Sequence, residues 1–139
     1  MKKRSPMCIR KWNDIFKLEE NDWAEIFYLP YSITRKTKLQ TFQYKVLHRI
    51  FPCRYWLHKC KITDNNDCVN CDQINTIAHY FIERAWNHTL WKCLTRWLSI
   101  ILDLSLDIEI TAQDILFGFI SDREKNAKYI SMSLITLFS

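Results

Sequence analysis

Two cysteines two residues apart, Cys68-Val69-Asn70-Cys71, and a histidine after a gap of seven residues, His79, are the side chains of this chain best suited to chemistry. A Cys-x-x-Cys turn chelates naturally, and an imidazole at short range closes on the same ion, because zinc takes thiolate and imidazole donors in a tetrahedron. Three donors are legible, and a fourth is required. A Cys-Cys-His-Cys site places it about one helical turn beyond His79, where the chain reads Ile82-Glu83-Arg84-Ala85. Glu83, four residues after His79 and on the same helical face, carries a carboxylate able to reach an ion held there. Cys60, Cys93 and His88 qualify only if the fold brings them close. Arg84 cannot ligate, being permanently cationic.

Other chemistries fit these residues less well. A redox Cys-x-x-Cys wants a strand-to-helix context of thioredoxin type, which the residues around Cys68 do not supply. A Cys-His hydrolase built on Cys71 and His79 needs a third group to orient the imidazole, and none is evident in the sequence. A polymerase needs paired carboxylates for two magnesium ions; no Tyr-x-Asp-Asp pattern occurs, and the acidic residues at 64–67 sit in a polar turn. The expectation is a chain that is not an enzyme.

The elements that must position the donors read as helices. One glycine, Gly118, and three prolines in 139 residues are too few for an all-β fold with many tight turns. Ile9, Trp12 and Phe16 suit a short amphipathic helix, and Asp22 with Glu25 makes a capping pair for a second that Pro30 should end. The clearest helix is expected from about Thr34 to Phe51, with Leu39, Phe42, Val46 and Ile50 within about 80° on a helical wheel and Pro52 as the stop. The polar run Thr63–Asp67 delivers Cys68, and a helix beginning around Thr76 carries His79. A longer helix follows from about Ala85 to Leu102, with Trp86, Leu90, Leu94, Trp97 and Ile101 as its stripe. Residues 103–109 read as a connection. Thr111-Ala-Gln-Asp114 and Ser121-Asp-Arg-Glu124 are capping boxes for a short helix ending near Gly118 and a last one from about Asp122. That last helix is still periodic at Leu137-Phe138, which predicts a cut chain. The fold class expected is mostly α: a basic N-terminal segment at 1–20, then a small helical domain at 21–139 with a Cys-x-x-Cys/His zinc knuckle at 68–84.

Charge adds a direction. The formal net charge of +5 hides a first half, residues 1–61, with 14 Lys/Arg against 5 Asp/Glu, and a second half with 6 against 10. An anionic partner therefore meets the first half, and nucleic acid is the commonest such partner. Lys38, Lys45 and Arg49 fall along one border of the buried stripe, where they could track a phosphate backbone. Arg54 and Lys59 continue the pattern among Tyr55 and Trp56, and basic residues mixed with rings suit single-stranded nucleic acid. The competing role for such cations is to cover core edges with their stems, and for such rings to fill the core. The start, with Lys2-Lys3-Arg4, has no apolar h-region for secretion, and the longest apolar run falls far short of the roughly 20 residues that span a bilayer. The six cysteines then read as reduced thiols in the nucleus or cytoplasm, with no membrane association.

From about Trp23 to Trp91, the order Leu39-Gln-x-Phe42-x-Tyr44-Lys-x-Leu47-His48-Arg49-Ile50, then Cys68-x-x-Cys71, then His79-Tyr-Phe, then Trp91, resembles a known family. It is the zinc-binding region that follows the polymerase in reverse transcriptases of non-LTR, LINE-type retrotransposons. Ile115-Leu116-Phe117-Gly118 resembles the family's continuation. The resemblance implies an accessory domain that helps a reverse transcriptase hold RNA template or DNA target, with a cysteine ligand five residues after the histidine. This chain has Arg84 there, which predicts zinc binding that is weak or absent. The expected function is a non-catalytic nucleic-acid-binding accessory domain, with RNA or DNA and a polymerase domain as partners. A zinc-stabilised domain that only docks on the polymerase, or a retroelement remnant without function, is the alternative.

Overall fold

The computed structural model describes residues 5–101 and 110–118. The basic head at 2–4, the connection at 103–109, the capping box at 121–124 and the expected last helix lie outside the described residues. Those described form seven helical elements and no strand. The α-helices are α1 (Met7–Phe16), α2 (Glu20–Ile33), α3 (Thr37–Leu47), α4 (Arg54–Lys59), α5 (Ala85–Ile101) and α6 (Ala112–Phe117), with a π-helical turn at His79–Glu83 between α4 and α5. The chain is mostly helical, as its shortage of turn residues predicts.

Four boundaries differ from the periodic reading, each for a local reason. Glu19 caps α2, its side chain accepting from the Asp22 backbone while the Asp22 carboxylate accepts from the Glu19 N–H. Pro30 does not end this helix: it is buried within it, and its carbonyl accepts the N–H of Thr34 beyond the last turn. A proline removes the one bond its own nitrogen would make, and its fixed φ suits helical backbone, so a final turn survives around it. The third helix is shorter than its stripe suggests. Thr34 is extended, its hydroxyl accepting the Lys36 N–H, and the other end stops at Leu47 because Arg49 takes a left-handed φ of 60°.

The core joins α1, α2, α3, α6 and the π-helical turn through aromatic edges. Phe117 is the hub: the rings of Trp12, Phe16 and Trp23 lie 5.2, 5.3 and 5.3 Å from it, distances at which tilted rings attract beyond their burial. Gly118 takes φ 81° immediately after it, a left-handed value that glycine meets without a Cβ penalty. The Thr111–Asp114 capping box forms as expected. Phe42, Phe51 and Phe81 make a second ring cluster that runs on to the π-helical turn. Buried polar handles fix the register: Trp12 Nε1 donates to the Leu47 carbonyl at 2.9 Å and Gln43 Nε2 to the Leu116 carbonyl at 2.7 Å. An unmade bond at a buried group costs about 1–3 kcal/mol, so each handle selects one packing among several of similar apolar area.

The stripe of α5 is turned from the expected one. Trp86 and Trp97 are exposed, whereas Asn87, Trp91, Leu94 and Leu98 are buried. Apolar residues lie on more than one side of this helix, so periodicity alone does not choose. Hydrogen bonds do: Trp91 Nε1 donates to the Phe81 carbonyl at 2.8 Å and Asn87 Nδ2 to the Tyr80 carbonyl at 2.8 Å, tying α5 to the π-helical turn. No helix among the described residues is long and apolar enough to cross a membrane.

Candidate metal centre

Cys68 and Cys71 are carried by a narrow loop closed at its neck. The Asn75 N–H donates to the Asn66 carbonyl at 2.9 Å, the Cys68 N–H to the Gln73 carbonyl at 2.8 Å, and Asp67 pairs with Ile74 in an isolated antiparallel bridge. Asn75, itself buried, ends the loop, and Thr76 begins the next helical segment. The Thr76 hydroxyl accepts the His79 N–H and its carbonyl accepts the Tyr80 N–H, the arrangement that spares first-turn donors from going unbonded. Ile77 and Phe81 anchor the segment in the core, and His79, 1% exposed, turns to the loop.

The result is convergence. One donor atom each from Cys68, Cys71 and His79 lies within 4.8 Å of the others, and Cys71 Sγ stands 3.3 Å from His79 Nε2. The Cys68 thiol is pushed down to about 6. Its largest cause is a hydrogen bond from the Asn70 backbone; burial opposes it, and bonds with His79 and Cys71 and the Arg84 charge assist it. A thiolate-favouring loop, a second sulfur and a buried imidazole nitrogen are the donor set of a soft or borderline divalent metal, and the group can hold such an ion.

The opposite side of the imidazole has its own partner. His79 Nδ1 faces Glu83 Oε2 at 3.4 Å across the π-helical turn, a close electrostatic contact without hydrogen-bond geometry, so the buried Nδ1 is otherwise unpartnered. A turn widened to i→i+5 spacing brings residue i+4 nearly over residue i, and π-helical turns of this kind gather at functional sites. Glu83, read from spacing as a possible fourth ligand, is thus placed at the nitrogen that does not face the cysteines. Arg84 follows in extended conformation. Its guanidinium lies 4.6 Å over the Tyr80 ring and reaches Asn75 Oδ1 at 3.5 Å. The cation at the expected ligand position is thereby turned to structural use.

Cys60, Cys93 and His88 are exposed and do not join the group. All six cysteines are free thiols. Glu83 also supplies the orienting third group that the sequence did not show for a Cys71–His79 pair. Metal ligation still describes the group better than nucleophilic catalysis. Cys68 converges on the same point with no part in such a triad, and the imidazole is almost wholly buried. An open groove of about 890 Å³ runs between α5 and α6 past Ile82, Trp91 and Ile115, and none of the three donors lines it.

The five cations singled out for phosphate contact fall into two groups. Lys38 and Lys45 are exposed on α3, seven residues and so about two turns apart on one side. Lys59, exposed at the end of α4, has its ammonium 5.6 Å over the Trp56 ring. Arg49 lies beyond α3, its guanidinium 4.5 Å over the Trp12 ring. Arg54 Nη2 donates to Asn65 Oδ1 at 2.6 Å. Of the rings among them, Tyr55 is 41% exposed and Trp56 packs against the core. Asn75 went unnoticed in the sequence: its carbonyl accepts the Tyr55 N–H at 3.2 Å, which joins α4 to the metal loop. An asparagine before a threonine in a polar stretch carries no signal of such a role.

Compared with models of known families, with curated proteins and with solved structures, the chain has no match in any of the three.

Proposed function

We propose that the chain is a non-catalytic nucleic-acid-binding module pinned by zinc, the accessory part that its sequence resemblance implies for a retrotransposon reverse transcriptase. The observation that carries this reading is the joint between the metal loop and α4. Asn75 holds the Tyr55 backbone and Asn65 holds the Arg54 guanidinium, so an ion bound by Cys68, Cys71 and His79 fixes the helix that presents Tyr55 and Lys59 outward. Lys38 and Lys45 on α3 extend the exposed positive charge, and Tyr44 beside them is also exposed. Exposed cations contact phosphates without reading sequence, and exposed rings stack on unpaired bases of any identity. Zinc fits the donors, since a two-thiolate, one-imidazole set suits its softness and needs no redox chemistry.

Single-stranded RNA binding followed by fluorescence anisotropy against salt tests the reading. Affinity should fall linearly on logarithmic axes by about 0.7 per phosphate contact, and replacing Lys38, Lys45 and Lys59 together with alanine should reduce the slope by about 2. A flat salt response, or no binding at low salt, rejects the nucleic-acid role and favours a domain that only docks on a polymerase.

A further inference from the structure

The fourth coordination position is where this chain departs from a closed knuckle, and the two residues beside it are placed unlike ligands. Glu83 stands at His79 Nδ1, whereas Nε2 faces Cys71. A carboxylate on the far nitrogen of a metal-bound histidine holds the proton on that nitrogen, leaves the near lone pair for the ion and fixes the ring plane. The Glu83 side chain is 56% exposed, so it is free to close the remaining distance. Arg84 is stacked on Tyr80 and bonded to Asn75. Among the described residues only Cys68, Cys71 and His79 converge.

We infer that the centre is a three-donor site, with His79 oriented by Glu83, whose fourth position accepts an anionic donor from solution beside Arg84. A divalent ion held by two thiolates and a neutral imidazole is a neutral centre. Arg84, bonded to Asn75 at the neck of the metal loop, sets a positive charge beside that loop, so an incoming anion is favoured over a neutral donor. Glu83 is a positioning residue and Arg84 an electrostatic one; neither is a ligand. This inference rests on the metal reading of the proposed function and is independent of RNA binding.

Cobalt(II) replaces zinc in such sites and reports its ligands by visible absorption, with sodium azide as the anionic probe. The wild-type chain, kept reduced, should bind one cobalt with sulfur-to-metal bands, and azide should shift its d–d bands. Arg84→Cys should close the site, with tighter cobalt binding and bands that azide no longer moves. Glu83→Ala should keep the one-to-one stoichiometry and the sulfur bands while affinity falls 10–100-fold, the usual effect of removing an outer carboxylate. Glu83→Gln, whose amide oxygen still accepts from Nδ1–H, should recover most of that loss. The inference is overturned if the wild type binds no cobalt, or if azide leaves its bands unmoved. It is also overturned if azide sensitivity arises only in Glu83→Ala, which would make Glu83 the fourth ligand. Loss of salt-dependent RNA binding with these spectra intact would reject the nucleic-acid role alone.

Discussion

The metal loop and the basic α3–α4 stretch were each picked out by residue type, yet they meet the fold differently. In the loop, residues 68, 71 and 79 converge because a short backbone closure and a capped helical segment leave little choice of geometry. In the basic stretch, three of the five cations find separate neighbours, Arg49 the Trp12 ring, Arg54 the Asn65 amide and Lys59 the Trp56 ring, while Lys38 and Lys45 stand exposed on α3. Donors that must share one ion are constrained by spacing, whereas cations that must share one polyanion are constrained only by where helices end. A chelate motif is therefore stronger sequence information than a charge row.

Substitutions can break this contrast. The largest effect is expected at the loop, where Cys71→Ser or His79→Ala should abolish stoichiometric metal binding in an equilibrium titration, because two remaining donors do not make a site. Next comes the core that holds both regions. Phe117→Ala should destabilise the chain by about 3–5 kcal/mol in denaturant unfolding, the usual cost of emptying a buried aromatic position. Arg49→Ala should cost about 0.5–2 kcal/mol, the worth of a cation over a ring, and should change RNA affinity little. Lys38→Ala and Lys45→Ala should do the reverse, weakening RNA binding with unfolding unchanged. Should Arg49→Ala instead weaken RNA binding as much as the lysine variants, the two groups of cations would merge.

A smaller effect concerns pH. The folded value of the Cys68 thiol, about 6 against an ordinary 9.0, is depressed. Its stabilising contribution is fully present above the unfolded value and is lost as pH falls through about 6. The Tm of the metal-free chain should therefore rise from pH 6 to pH 9, and Cys68→Ser should flatten the rise. Burial pushes the Cys53 thiol up from 9.0. That contribution has the opposite sign and is lost only above the window.

Helical class, the capping box at Thr111, the helical start around Thr76 and the three donors were legible because each depends on neighbours a few residues away. What was not legible depended on partners in another element, or on backbone geometry that spacing does not report. The face that α5 buries follows from Trp91 and Asn87 bonding carbonyls of the π-helical turn, and no wheel of α5 contains them. The early end of α3 follows from a left-handed Arg49, where a non-glycine residue pays about 1–2 kcal/mol, offset in part by its stacking on Trp12. Glu83 was seen at the right spacing, but an α-helical wheel does not say which imidazole nitrogen it meets. The π-helical turn settles that, and nothing in His79-Tyr-Phe-Ile-Glu83 announces it.

Both proposed roles require that Cys68, Cys71 and His79 hold one metal ion. Zinc per chain, measured by elemental analysis after refolding with zinc under reducing conditions and removal of excess, tests it most directly. One zinc per wild-type chain and none in His79→Ala is the expected result. A wild-type chain without zinc, or a His79→Ala chain that retains it, contradicts it.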